Sequence, residues 1–234
     1  MLQSVIKHID EITDKQKHDM FLLMCVYYGN MSEKQFCYDL AKKDKVIMLM
    51  DKESLCGFST QVLLTYTINC KKTNIVFSGD TVIEKQHNNS FALPIAWGRM
   101  MLSILDQEPG IPLYWLLTSK GYRTYRYLPV FFYDYFPRPF RVLSFFEQDL
   151  LMSIGEHLFN GKLDTQRWII MSGKKDQYLQ PGVADITEAR RSKQEIVYFE
   201  KKNSGYIHGD ELVCLAEFSR ENLNPFILKK LLCL

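Results

Sequence analysis

The sequence predicts an α+β protein with one mixed, mostly antiparallel sheet flanked by helices, and three observations carry that prediction. Apolar residues recur at spacings of three and four over residues 13–28, 32–43 and 91–105, the period of a half-buried helix. Between the second and third of these, short stretches at 46–50, 58–68 and 75–83 carry strand patterning and are separated by turn residues. Residues 112–118 are apolar on both faces, as a central strand covered on both sides must be. The chain has 234 residues, 47% apolar and 24% charged, an ordinary globular mixture for one core. The longest early apolar run, 21–28, is far shorter than the ~20 residues of a membrane helix. Six cysteines without a C-x-x-C pair lie mostly in apolar runs, which favours a reducing, cytoplasmic setting and argues against structural zinc. A net charge of +2 does not by itself point to nucleic acid.

Each element has a local cause. Thr13-Asp14-Lys15-Gln16 opens the first helix, which carries Met20, Leu23, Met24, Tyr27 and Tyr28 at spacings of three and four and ends at Gly29-Asn30. Ser32 caps a second helix, with Phe36, Cys37 and Leu40 on one face. In 58–68, Phe58, Val62, Leu64, Tyr66 and Ile68 share a face, and Asn69-Cys70 turns the chain into a third strand interrupted by Gly79-Asp80. A glycine there marks a bulge or a close approach by a ligand. Pro94 fits the third helix only if that helix starts near Ser90. Further on, the spacing predicts helices over 120–128, 142–159 and 184–195, and strands at 196–199 and 212–215 paired across Asn203-Ser204-Gly205.

Several residues bear on chemistry. Cys56-Gly57-Phe58-Ser59-Thr60 opens the long strand, and Gly79-Asp80-Thr81-Val82-Ile83 is followed by Gln86-His87-Asn88-Asn89-Ser90-Phe91-Ala92 before the third helix. With the element order, these stretches resemble the GNAT superfamily of acyl-CoA N-acyltransferases over residues 12–140. The resemblance implies a core at 1–141, with 142–234 as a C-terminal extension packing on the same body and ending in the strand pair. It implies acetyl-CoA or another acyl-CoA as co-substrate, no metal, and a small-molecule or peptide amine as acceptor. It further implies that His87, Asn88, Asn89, Ser90 and Ala92 form the pyrophosphate loop, and that Ser119 and Lys120 lie beside the pantetheine arm. The family's loop glycines are missing here. A helix start binds phosphate through free N–H groups and the positive end of its dipole, so the loop's remaining chemistry is sound.

Acyl transfer to an amine needs a base to keep the amine neutral and an acid for the departing thiolate. Asp80 and Glu84 are the candidate bases, and Tyr125, placed by the resemblance, is the candidate acid. The segment 120–141 carries Lys120, Arg123, Arg126, Arg138 and Arg141 against Asp134 alone. Such a patch suits the CoA 3′-phosphate, RNA stacked on the interleaved aromatics, or plain solvation. His208-Gly209-Asp210-Glu211 reads as a turn. Two alternatives to the enzyme stay open: a GNAT-fold binding or interaction module without catalysis, and an RNA-binding protein.

Overall fold

The computed structural model describes residues 2–159 and 161–233. Strands β1 (Leu2–His8), β3 (Lys45–Asp51), β4 (Ser54–Ile68), β5 (Lys71–Ile83), β6 (Leu113–Ser119), β7 (Leu163–Asp164), β8 (Ile169–Ile170) and β10 (Glu211–Glu217) form one sheet in the order β1-β3-β4-β5-β6-β10-β8-β7. Every neighbouring pair is antiparallel except β5 and β6, which run parallel from Asn74 opposite Leu113 to Ser78 opposite Leu117. A separate ribbon pairs β2 (Tyr28–Gly29) with β9 (Tyr178–Leu179).

Helices cover both faces. α3 (Ala92–Gln107), α4 (Tyr122–Tyr125), α5 (Tyr127–Phe131), α7 (Gln194–Lys202) and α8 (Pro225–Leu232) pack on the face that carries Val76, Trp115, Leu117 and Cys214. The opposite face divides in two. α1 (Asp14–Tyr27) and α2 (Glu33–Leu40) bury Val46, Met48, Phe58 and Val82, while α6 (Phe145–Leu158) buries Ile75, Phe77, Leu116 and Val213. The alternation of Ile75 and Phe77 against Val76 is the period of two that a strand covered on both faces requires.

Local chemistry fixes the boundaries. Thr13 and Gln16 form a reciprocal capping box on α1, Ser144 and Glu147 do the same on α6, and Ser32 caps α2. The β4–β5 hairpin turns through Asn69 and Cys70, both at positive φ (50° and 61°), the geometry a two-residue turn needs to match strand twist. Pro94 falls in the first turn of α3, where a missing N–H costs no helical bond.

Three expectations are corrected. The segment after β6 is two short helices, and Pro129 lies inside the second, in its first turn. Residues 184–193 form turns and one 3-10 turn rather than a helix. Residues 196–199 are helical, with Ile196 and Phe199 buried three apart and Val197 outward, because the flanking Gln, Glu and Lys residues favour helix over strand. No strand pair therefore ends the chain. β10 instead pairs with β6 inside the sheet, so residues after 142 complete the sheet itself.

One buried polar chain crosses the sheet. Trp115 Nε1 donates to Ser78 Oγ (2.9 Å), which donates to Gln61 Oε1 (2.7 Å); Gln61 Nε2 donates to Ser59 Oγ (2.8 Å). The Ser59 hydroxyl meets Thr81 Oγ1 at 2.7 Å, and Thr81 donates to the Gly79 carbonyl at 3.3 Å. Ser78→Ala would strand the indole N–H and the Gln61 carbonyl. The expected cost is roughly 1–3 kcal/mol, read as a lower urea midpoint at unchanged slope.

Candidate functional site

The polar chain ends on an irregularity that organises the site. Gln61 pairs with Ser78 and Ser59 with Thr81, so Gly79 and Asp80 of β5 together face Thr60 alone. This is a bulge with the extra residue on β5, which bends that strand. The β5–β6 pairing stops at the same point: Ser78 opposite Leu117 is its last pair, and Thr118 and Ser119 pair only with Val213 and Leu212 on the far side. Beyond it the two strands part, and each faces the gap with backbone that no neighbouring strand uses. A side chain at the bulge would crowd its neighbours, since a Cβ on Gly79 would lie 2.8 Å from Thr60 Oγ1 and 3.1 Å from Lys43 Nζ, so one of them would have to shift. Thr60 is fully buried, and its hydroxyl has no hydrogen-bond partner among the described residues.

A cavity of about 1550 Å³ adjoins this gap and is lined by residues from both faces of the sheet. On the α3 face it is lined by Lys85, Asn88, Asn89, Ser90, Arg123 and Arg126. On the other it runs between α2 and α6, past Tyr38, Lys43, Val62, Phe77 and Phe159. Asp80, Tyr28, Thr118, Lys120 and Glu211 stand where the two halves meet. Glu211 accepts hydrogen bonds from both Thr118 Oγ1 and Lys120 Nζ, which ties β10 to the end of β6. Desolvation raises the Asp80 pKa above its ordinary 3.8, against the pull of Lys43 and Lys120. Desolvation and the neighbouring Asp80 and Glu211 charges keep the Tyr28 phenol protonated well beyond its usual range.

No family model and no curated protein matches the chain. It is similar to solved structures, among them a conserved protein from Enterococcus faecalis V583 described as a probable N-acyltransferase (TM-score 0.42, 12% identity, 55% of this chain and 33% of that one). Others are N-myristoyltransferase of Saccharomyces cerevisiae with bound myristoyl-CoA (0.38, 16%, 50% and 31%) and a GCN5-related N-acetyltransferase from Kribbella flavida (0.42, 12%, 58% and 34%). These neighbours have the GNAT, acyl-CoA N-acyltransferase fold. The match spans about a third of each of these three proteins.

The expected residues divide sharply. Asp80, Asn88, Asn89, Ser90 and Lys120 line the cavity. Tyr125 does not: it is completely buried, donates to the Pro137 carbonyl at 2.8 Å and packs among Tyr135, Tyr198 and Phe199, so it cannot reach a thiolate. Its assignment as acid is overturned. Glu84 and His87 are absent from the lining and turn toward each other instead (3.7 Å). Ala92 N–H is taken by Ser90 Oγ (3.1 Å), and Pro94 has none, so this helix start offers fewer free donors than a glycine-rich loop. Ser119 is buried with its hydroxyl donating to the Gly121 carbonyl, and Lys120 is committed to Glu211.

The basic patch is largely neutralised: Arg126 pairs with Glu195, Arg138 with Asp134, and Arg141 with Asp134 and Glu147. Lys85 and Arg123, both exposed, have no acidic partner among the described residues, and both face the α3 mouth. In the sequence Tyr28 read only as a helix residue, and Glu211 belonged to a polar cluster that read as a turn, because only tertiary structure brings the end of α1 and the start of β10 to the gap.

A carboxyl whose folded pKa is raised contributes stability below its unfolded pKa that is lost as pH climbs through the folded value. Asp80→Asn should therefore gain in thermal midpoint relative to the wild type as pH rises from about 3.8 toward neutrality, and the difference should shrink at lower pH. Parallel melts across that range check the sign.

Proposed function

We propose that this protein transfers an acyl group from acyl-CoA to an amine, with both substrates bound at once in the cavity through the β5–β6 gap. The observation that carries this reading is the coincidence of bulge, gap and through-sheet cavity at Gly79-Asp80. A pantetheine arm is a chain of amides and methylenes that needs backbone partners along an apolar slot, and unpaired strand edges supply them. Lys85 and Arg123 stand where phosphates at the start of α3 would meet them, and charge-assisted bonds there offset the scarcity of loop N–H groups. The amine enters from the opposite face, between α2 and α6.

In this scheme the Asp80 carboxylate takes a proton from the ammonium form of the acceptor. The freed nitrogen lone pair attacks the thioester carbonyl, the C–S bond breaks as the departing sulfur takes the proton of the Tyr28 hydroxyl, the surplus proton on the new amide nitrogen restores that hydroxyl, and Asp80 gives its proton to solvent. Asp80 suits the first step because its raised pKa makes it a stronger base than an exposed aspartate. Tyr28 replaces Tyr125 as acid because it lines the cavity beside Asp80 and is held protonated. The N–H consumed at Ala92 favours one other reading, a GNAT-fold module that binds a ligand without turnover.

Melts with acetyl-CoA, CoA and a long-chain acyl-CoA separate these readings. A ligand at a hundredfold excess over Kd stabilises by about 2.7 kcal/mol, and that shift is expected with at least one of them. Given such binding, Asp80→Asn and Tyr28→Phe should each lower kcat roughly 10²–10⁴-fold while the ligand-induced shift persists. Undiminished turnover in either variant removes that residue from the mechanism. A melt shift without turnover on any amine supports the binding module, and no shift with any of the three rejects both.

A further inference from the structure

Behind the cavity, on the side of the loop that faces away from it, three ligand-type side chains converge. Cys56 on β4 lies across from Glu84 at the end of β5, where Glu84 N donates to the Cys56 carbonyl at 2.8 Å. Glu84 opens the 3-10 turn Lys85–His87, and His87 N donates back to the Glu84 carbonyl at 2.8 Å. Residues three apart in such a turn eclipse, so the carboxylate and the imidazole project to the same side. The Tyr27 hydroxyl accepts from Lys85 N at 2.9 Å and anchors the turn to α1.

We propose that Cys56, Glu84 and His87 form a binding site for a zinc-class divalent cation. One ligand atom from each lies within 4.8 Å of the others, and His87 Nε2 stands 3.7 Å from Glu84 Oε2. Bond lengths of about 2.0–2.3 Å to N, O and S set tetrahedral ligand separations of about 3.3–3.6 Å, which modest side-chain rotation reaches from here. Thiolate, imidazole and carboxylate together are a donor set for a borderline-soft ion rather than for magnesium or calcium. Cys56 is only 4% exposed, whereas the Glu84 and His87 side chains are 32% and 21% exposed, so a metal would sit at the surface rim with a fourth position open to water. To ligate, Glu84 Oε2 must exchange its bond from Gln86 Nε2 (2.8 Å) for the metal or offer its other oxygen.

The site is independent of the acyl-transfer reading. Its consequence is mechanical: a bound ion would join the start of β4 to the turn that leads into α3, in place of the rigidity that a short glycine loop has by its tightness. No local spacing signals it, because the cysteine and the other two ligands meet only through the β4–β5 pairing.

Titration of the metal-free, full-length chain with Co²⁺ tests this directly. One equivalent should bind with a thiolate-to-cobalt charge-transfer band in the near ultraviolet and intense tetrahedral visible bands, both bleached by Zn²⁺. Cys56→Ser should abolish the charge-transfer band, and His87→Gln should weaken binding at least as much as the roughly 10–100-fold typical of losing a mere supporting partner of a ligand. Far-ultraviolet circular dichroism shows that each variant is folded, and His87→Gln, at a partly exposed position, is the safeguard if the buried cysteine does not tolerate change. Absence of one-to-one binding, or an undiminished charge-transfer band in folded Cys56→Ser, overturns the proposal. Unchanged affinity in His87→Gln does the same.

Discussion

The structure depends on one backbone irregularity, the insertion of Gly79 and Asp80 opposite the single residue Thr60. An extra residue in a ladder costs hydrogen bonds, and something must hold the strand in that arrangement. Here the chain Trp115–Ser78–Gln61–Ser59–Thr81 does so, entering from β6 and ending on the Gly79 carbonyl. Each member satisfies the next, and from Trp115 to Ser59 the network is buried, where a half-satisfied one would be costly. The same network that stabilises the bulge also fixes where β5 leaves β6, so the core's polar interior sets the position of the cavity.

Electrostatics then differentiates the two mouths. At the α3 mouth, Lys85 and Arg123 have no acidic partner among the described residues, while Arg126, Arg138 and Arg141 are paired off with Glu195, Asp134 and Glu147. At the centre, Glu211 absorbs Lys120 and Thr118, which leaves Asp80 and Tyr28 as the titratable pair whose charged forms burial disfavours. A cationic entrance on one face and a carboxyl of raised pKa at the centre are the two features on which the proposed two-substrate scheme rests.

Much of this was legible in the sequence, and the rest was hidden for identifiable reasons. Thr13, Ser32 and Pro94 announced helix starts by local chemistry, and Gly79 announced the bulge because a glycine inside a strand marks such an irregularity and a Cβ there would crowd Thr60. Tyr125 failed as a site residue because its spacing along a helix says nothing about which side is core, and its hydroxyl finds Pro137 twelve residues later. Residues 196–199 misled because four apolar residues in a row fit either period, and only the burial of Ile196 and Phe199 decides for helix. Glu211 looked like turn chemistry until β10 was placed against β6, a pairing across ninety residues that no local pattern encodes.

The central claim is that the parted strands are a ligand slot, and backbone amide hydrogen exchange with and without saturating CoA tests it most directly. New protection is expected to concentrate in residues 79–83 and 118–121, the two edges that no neighbouring strand satisfies across the gap. Protection that spares both edges, or no change anywhere, would contradict it.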